Sequence, residues 1–174
     1  MLMNRIELKL KVYPHEILRK KTKPIEKVDE QIRQILAEMV KVMYGHKGVG
    51  LAANQVGLDF SLLVADPGDK IYKLINPRII SKEGKQSMEE GCLSLPGICV
   101  QVKRAYSIKV EAMDENNRTI VFEAEGLLSR ILQHEIDHLN GKLILDYAPF
   151  FKRIQFKRKF KKFKEGINNE GMCK

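Results

Sequence analysis

The stretch Gln133-His134-Glu135-Ile136-Asp137-His138 holds the residues of this chain best suited to chemistry. Side chains four apart on an α-helix lie one turn apart on the same face, so His134 and His138 can point at one metal ion. Glu135, beside the first imidazole, can act as general base on a water held there. A core helix with incidental histidines is the poorer reading, because the chain has only four His and two fall at ligand spacing around a Glu. The pentapeptide alone leaves the enzyme class open.

A catalytic site of this type needs a third protein ligand and one open position. Metallopeptidases with a downstream histidine need that ligand shortly after Gly141. There the chain offers only Asp146, then Glu165 and Glu170 near its end. Upstream, Cys92 sits in a turn-rich segment and is the strongest third ligand. Its plain alternative is a small buried hydrophobe. Gly48-Val49-Gly50-Leu51-Ala52-Ala53-Asn54-Gln55 is rich in small residues that permit close backbone approach. It lacks the lysine and Ser/Thr of a phosphate cradle, and Gln55 is its candidate polar group.

The elements that must position these residues can be read in part. Leu127, Leu128, Ile131, Leu132, Ile136 and Leu139 give the histidine helix a broad apolar surface, so it should be buried. Asn140-Gly141 is a fitting C-cap. An earlier helix starts from Asp29 and carries Ile32, Ile35, Leu36, Met39, Val40 and Met43 at helical spacing, ending near Tyr44-Gly45. Phe60 to Ala65 reads as a strand, and Tyr72 to Ile75 as another closed by Asn76-Pro77. Val100 and Val102 alternate with polar residues. Tyr106 to Ala112 and Thr119 to Ala124 form a hairpin. Glu16 to Arg19 is a short element among turns. A terminal helix runs from about Pro149 to Lys164, with Phe156, Phe160 and Phe163 as an imperfect stripe. The expected fold is α+β: small antiparallel sheets packed around a central buried helix, with a C-terminal helix. Residues 1–165 should form a single domain and 166–174 a flexible tail.

At 174 residues the chain can bury a proper core. No run is long enough to span a membrane, and Met1 to Val12 has no signal-peptide core, so a cytoplasmic protein is expected. Three cysteines, Cys92, Cys99 and Cys173, argue against a disulfide framework. The net charge of +9 is concentrated in the last helix, at Lys152, Arg153, Lys157, Arg158, Lys159, Lys161, Lys162 and Lys164. This is a solvated face or an electrostatic contact with RNA, a ribosome or acidic lipid.

Three segments, Gly48 to Gln55, Glu90-Gly91-Cys92-Leu93-Ser94 and Gln133 to His138, resemble the signature motifs of peptide deformylases, in the family's order and at comparable spacing. Tyr13-Pro14 and Leu18-Arg19-Lys20 are similar to the family's N-terminal segment, so the likeness spans about Tyr13 to Lys164. The resemblance implies a hydrolase that removes the formyl group from N-terminal formylmethionine of nascent chains. It implies that Cys92, His134 and His138 bind one divalent metal. Ferrous iron is typical of the family, while zinc, nickel or cobalt also suit such a ligand set. Glu135 would move the protons. The Gln55 amide and the Leu93 N–H would stabilise the developing oxyanion. Val49, Gly50, Leu127 and Ile131 would contact the methionine, with core packing as the competing reading. Glu90 would pair with Arg104 to brace the Cys92 turn. Cys99 stands where family members often carry Arg or Tyr, and it offers an oxidisable thiol. A ribosome contact through the basic helix, in a bacterial cytoplasm, completes the expectation, with no role for DNA or membrane. The alternatives are a general HExxH endopeptidase and a silent relative that binds ribosome or RNA.

Overall fold

Asp29 fixes where the first helix begins. Its carboxylate accepts from the Ile32 N–H at 2.9 Å, satisfying an otherwise unpaired donor of the first turn. Helix α1 (Glu30–Gly45) follows in the computed structural model, which describes residues 7–164. Its stripe of Ile32, Ile35, Leu36, Met39 and Met43 is buried, as the spacing requires. A single 3-10 turn occupies Glu16–Arg19 before it.

Seven strands come next: β1 (Gly50–Ala52), β2 (Leu62–Ala65), β3 (Tyr72–Glu83), β4 (Gln86–Glu90), β5 (Val100–Arg104), β6 (Ser107–Met113) and β7 (Thr119–Glu125). Five form an antiparallel sheet in the order β1-β2-β3-β6-β7, and β4 pairs with β5 separately. Helices α2 (Gly126–Leu139) and α3 (Phe150–Lys164) complete the α+β architecture.

Strands β1 and β4 fall where no strand was expected, and β3 departs in its length. β3 does not close at Asn76-Pro77 but continues to Glu83. Asn76 takes a φ of 51°, and its side-chain amide bonds the Ile25 N–H and C=O at 2.8 and 2.7 Å. The pairing with β6 shifts register between Ile75 and Arg78. A bulge therefore absorbs the residue that cannot donate, and the ladder resumes beyond it.

Helix α2 lies against β1, β2, β6 and β7, with Ile131, Leu132, Ile136 and Leu139 in the core beneath the sheet. Leu127 is the exception: it is 52% exposed and reaches the mouth of a cleft. The helix stops where expected, with Asn140 as C-cap and Gly141 at a φ of 72°. A Cβ on Gly141 would meet the Arg19 carbonyl oxygen at 2.5 Å, and that backbone is pinned by the Thr22 N–H donating to Leu139 O at 2.9 Å. Gly141→Ala is expected to cost more than about 2 kcal/mol, from the left-handed backbone and this collision. That would lower the melting temperature by roughly 5 °C or more. Calorimetry showing an unchanged midpoint would refute the clash.

In α3, Phe160 is buried and meets the Tyr13 ring edge-on at 5.2 Å, while Phe156 is half-buried. Phe150 and Phe151 are 69% and 78% exposed. The side chains of Phe163, Lys159, Lys161, Lys162 and Lys164, and the tail from Gly166, lie outside the described residues. Among the described residues no helix is long and apolar enough to cross a membrane. Cys99 is not the free thiol expected: it is disulfide-bonded, so its sulfur carries no thiolate to react, whereas Cys92 is free.

Candidate metal centre and cleft

The i,i+4 spacing on α2 brings the imidazoles of His134 and His138 together, with Nε2 atoms 3.2 Å apart. The turn after β4 swings Cys92 over them, placing its Sγ 3.1 Å from His138 Nε2. The three donor atoms lie within 4.8 Å of one another. A tetrahedral ion with ordinary bond lengths needs N···N edges of roughly 3.3 Å and N···S edges of roughly 3.6 Å. The nitrogen edge already matches, and the sulfur edge opens by about half an ångström. His138 Nε2 faces two neighbours with at most one hydrogen, so hydrogen bonding alone cannot satisfy the group.

Burial alone would lower the His134 imidazole, but Cys92 and Glu90, accepting at its two ring nitrogens, push it well above its ordinary value. Burial, reinforced by a charged His134, holds His138 well below its own. The two imidazoles are thus driven in opposite directions. A thiolate and two imidazoles converging within 4.8 Å are a donor set that fits a divalent cation.

Glu90 orients the first histidine. His134 Nδ1 lies 3.0 Å from Glu90 Oε2, which fixes the ring and leaves Nε2 to face the centre. Arg104 grips the same carboxylate with two hydrogen bonds, Nε to Oε1 at 2.6 Å and Nη2 to Oε2 at 2.9 Å. The expected Glu90–Arg104 pair is thus formed. Arg130 of α2 closes on Oε1 from the other side. Burial pushes the Glu90 carboxyl up, but the hydrogen bonds from His134 and Arg104 and their charge outweigh it and hold it at about 2. Arg104 also donates to Asp137 Oδ2 at 2.8 Å, and the Tyr147 hydroxyl donates to the same oxygen at 2.7 Å.

Gln55 is pinned from both ends of its amide. Oε1 accepts from the Ala52 N–H at 2.8 Å, and Nε2 donates to Ser94 Oγ at 3.2 Å and lies 3.6 Å from Cys92 Sγ. Its N–H groups therefore sit beside the centre. The Leu93 N–H makes no hydrogen bond among the described residues, and Leu93 lines the cleft. Glu135 is buried at the cleft's inner end and its Oε2 has no partner there. Burial raises its carboxyl to about 7.

The cleft has a volume of about 430 Å³, within the range of small-ligand sites. Val49, Gly50, Leu127 and Ile131 all line it. Gly50 shows why a glycine stands there: an added Cβ would press on Glu135 Oε1 and lie 2.8 Å from Ile131 Cγ2. Gly50→Ala is expected to displace the Glu135 carboxylate and cut turnover about 100-fold, because reacting groups tolerate little misplacement. Thermal stability should change far less, so steady-state kinetics beside a melting curve would separate the two.

Arg130, Asp137, Gln133 and Asn54 are supports that spacing did not reveal. Gln133 donates to Ala105 O at 3.0 Å and accepts from Ala105 N at 3.1 Å, tying α2 to the β5–β6 link. Asn54 Nδ2 caps the His138 carbonyl. A signal did exist for Arg130: an arginine inside a buried apolar helix requires an acidic partner.

The family model described as Polypeptide deformylase matches residues 7–153. A peptide deformylase of Thermodesulfovibrio yellowstonii is 43% identical over 159 residues, covering 88% of this chain and 96% of the relative. One from Desulfitobacterium hafniense is 50% identical over 133 residues, covering 76% and 89%. The crystal structure of a peptide deformylase from Legionella pneumophila superposes with a TM-score of 0.85 at 42% identity, covering 91% of this chain and 95% of that one. These likenesses, with the fold and cleft above, define a hydrolase. The chain belongs to the polypeptide deformylase family, whose members are metal-dependent and remove the N-terminal formyl group from nascent peptides. The endopeptidase and silent-binder alternatives are thereby set aside.

Proposed function

We propose that Cys92, His134 and His138 hold one divalent metal at which the formyl group of a formylmethionyl peptide is hydrolysed. The observation that carries this is the convergence of these donors beside a buried, unpartnered Glu135 at the inner end of an open cleft. Ferrous iron is the metal of choice by likeness to the family, and zinc, nickel and cobalt suit the same donors. When bound, the metal supplies a Lewis acid and lowers the pKa of water. Glu135 accepts a proton from the attacking water and returns it to the departing amine. A carbon–oxygen bond forms at the formyl carbon and the carbon–nitrogen bond breaks, giving formate and a free amino terminus. Gln55 Nε2 and the Leu93 N–H donate to the oxygen that becomes negative, each worth about 3–4 kcal/mol. Val49, Gly50, Leu127 and Ile131 wall the methionine side chain.

Residues 1–165 act as one unit in a bacterial cytoplasm. The exposed Lys152, Arg153, Lys157 and Arg158 of α3, beside exposed Phe150 and Phe151, give a weak, salt-sensitive hold on the ribosome. Charge reversal at Lys152, Lys157 and Arg158 should abolish low-salt cosedimentation with ribosomes, and undiminished pelleting would remove this partner. The catalytic reading is tested on anaerobically purified, iron-loaded protein with formyl-Met-Ala-Ser. One formate per peptide is expected. No formate from protein with metal confirmed bound, or cleavage at an internal peptide bond, would reject it.

A further inference from the structure

Strand β1 is an edge strand among the described residues, paired only with β2. Val49 O accepts from the Asp66 N–H at 2.8 Å, so the Val49 carbonyl faces β2. By alternation, the N–H and C=O of Gly50 face the open side, toward the cleft. A peptide can add there as an antiparallel strand. Its reacting end must sit by Gly50, because Glu135 packs so close to that backbone that a Cβ added there would collide with its Oε1. It then runs back past Val49, at about 3.3 Å per residue, so its third and fourth residues approach the turn of Gly48 and Lys47 that precedes β1.

Lys47 is held firmly at that rim. The Lys47 N–H donates to Tyr44 O and the Gly48 N–H to Met43 O, each at 2.9 Å, the paired bonds that close α1. Glycine is usual at the left-handed position this closure creates, yet Lys47 occupies it at a φ of 57°. Its ammonium has no ion pair among the described residues. The other charged side chains lining the cleft, Glu90, Arg130 and Glu135, are buried. The nearby carboxylate of Asp66 lies on the β2 side of β1 and is bonded by the Tyr44 hydroxyl and the Gly68 N–H.

We propose that Lys47 is a specificity-determining residue that favours nascent peptides with acidic side chains at their third and fourth positions and disfavours basic ones. This rests on the deformylase reading and adds a substrate class to it. The test compares formyl-Met-Ala-Asp-Asp-amide with formyl-Met-Ala-Lys-Lys-amide on the iron-loaded enzyme. At low salt the wild type should favour the acidic peptide roughly tenfold in kcat/KM, with the ratio shrinking at high salt. Lys47→Glu should invert the ratio and Lys47→Arg should keep it. Lys109→Glu, the same charge change on the exposed face of β6, should leave it near the wild-type value. Equal shifts from Lys47→Glu and Lys109→Glu, or no preference in the wild type, would overturn the proposal. Dissociation constants of the same two peptides for metal-loaded Glu135→Gln read the rim without turnover. A charge preference there, with no formate from wild type, would sink the deformylase reading while sparing the rim.

Discussion

Glu135→Gln is expected to lower formate release by about 100- to 10,000-fold, the range over which a positioned proton carrier contributes. Glutamine keeps the size and one carbonyl oxygen of the original carboxyl group but cannot accept and return a proton at neutral pH. The metal should stay, since Glu135 is not among the three converging donors. Stability should hold or rise, because the wild-type carboxylate is buried and its Oε2 has no partner among the described residues. The diagnostic is therefore a split: one metal per chain, an unchanged or higher melting temperature, and turnover near background. If the variant keeps wild-type turnover, another group moves the protons. Loss of metal alongside activity would make Glu135 a support of the centre rather than its base.

The second large effect is expected at Arg104, which lines neither the cleft nor the cluster of Cys92, His134 and His138. Arg104→Ala removes two hydrogen bonds from buried Glu90 and one from Asp137. Breaking a buried ion pair from one side typically costs about 3–5 kcal/mol, because the remaining charge stays in a poor solvent. For a chain of this size that corresponds to a melting temperature roughly 10 °C lower. Arg130 still holds Glu90, so the carboxylate is loosened and not set free. His134 then loses its fixed orientation, and metal affinity should fall about 10- to 100-fold. Titration with a chelator reads this directly. Arg104→Lys keeps the charge but not the two-pronged grip and should recover only part of both losses. Wild-type metal retention in Arg104→Ala would show that Glu90 does not need this brace.

Much of the fold was legible because its signals are local. The Asp29 cap, the α1 stripe and the Gly141 stop depend on residues within one or two turns, and each holds. β3 was misread because Pro77 is a local stop signal, while the bulge that tolerates it depends on Asn76 bonding Ile25, far away in sequence. Cys99 was misread for a related reason: a thiol's state depends on what the fold brings to it. Leu127 shares an apolar stripe with its neighbours, and only the packing leaves it exposed at the cleft mouth.

The sequence by itself determined the pair of histidines, since helical periodicity places residues four apart on one face whatever surrounds them. It also named Glu135 by adjacency, and, through the order of its motifs, Cys92 and Gln55. Only the tertiary structure decided that Cys92 Sγ reaches His138 Nε2 across 46 positions of chain. The same holds for one buried carboxylate gathering Arg104, Arg130 and His134, and for Lys47 lining the cleft in the turn before an open strand edge. Helical spacing is set by backbone geometry within a few residues. Contacts between distant segments are set by how the whole core packs, which no local pattern encodes.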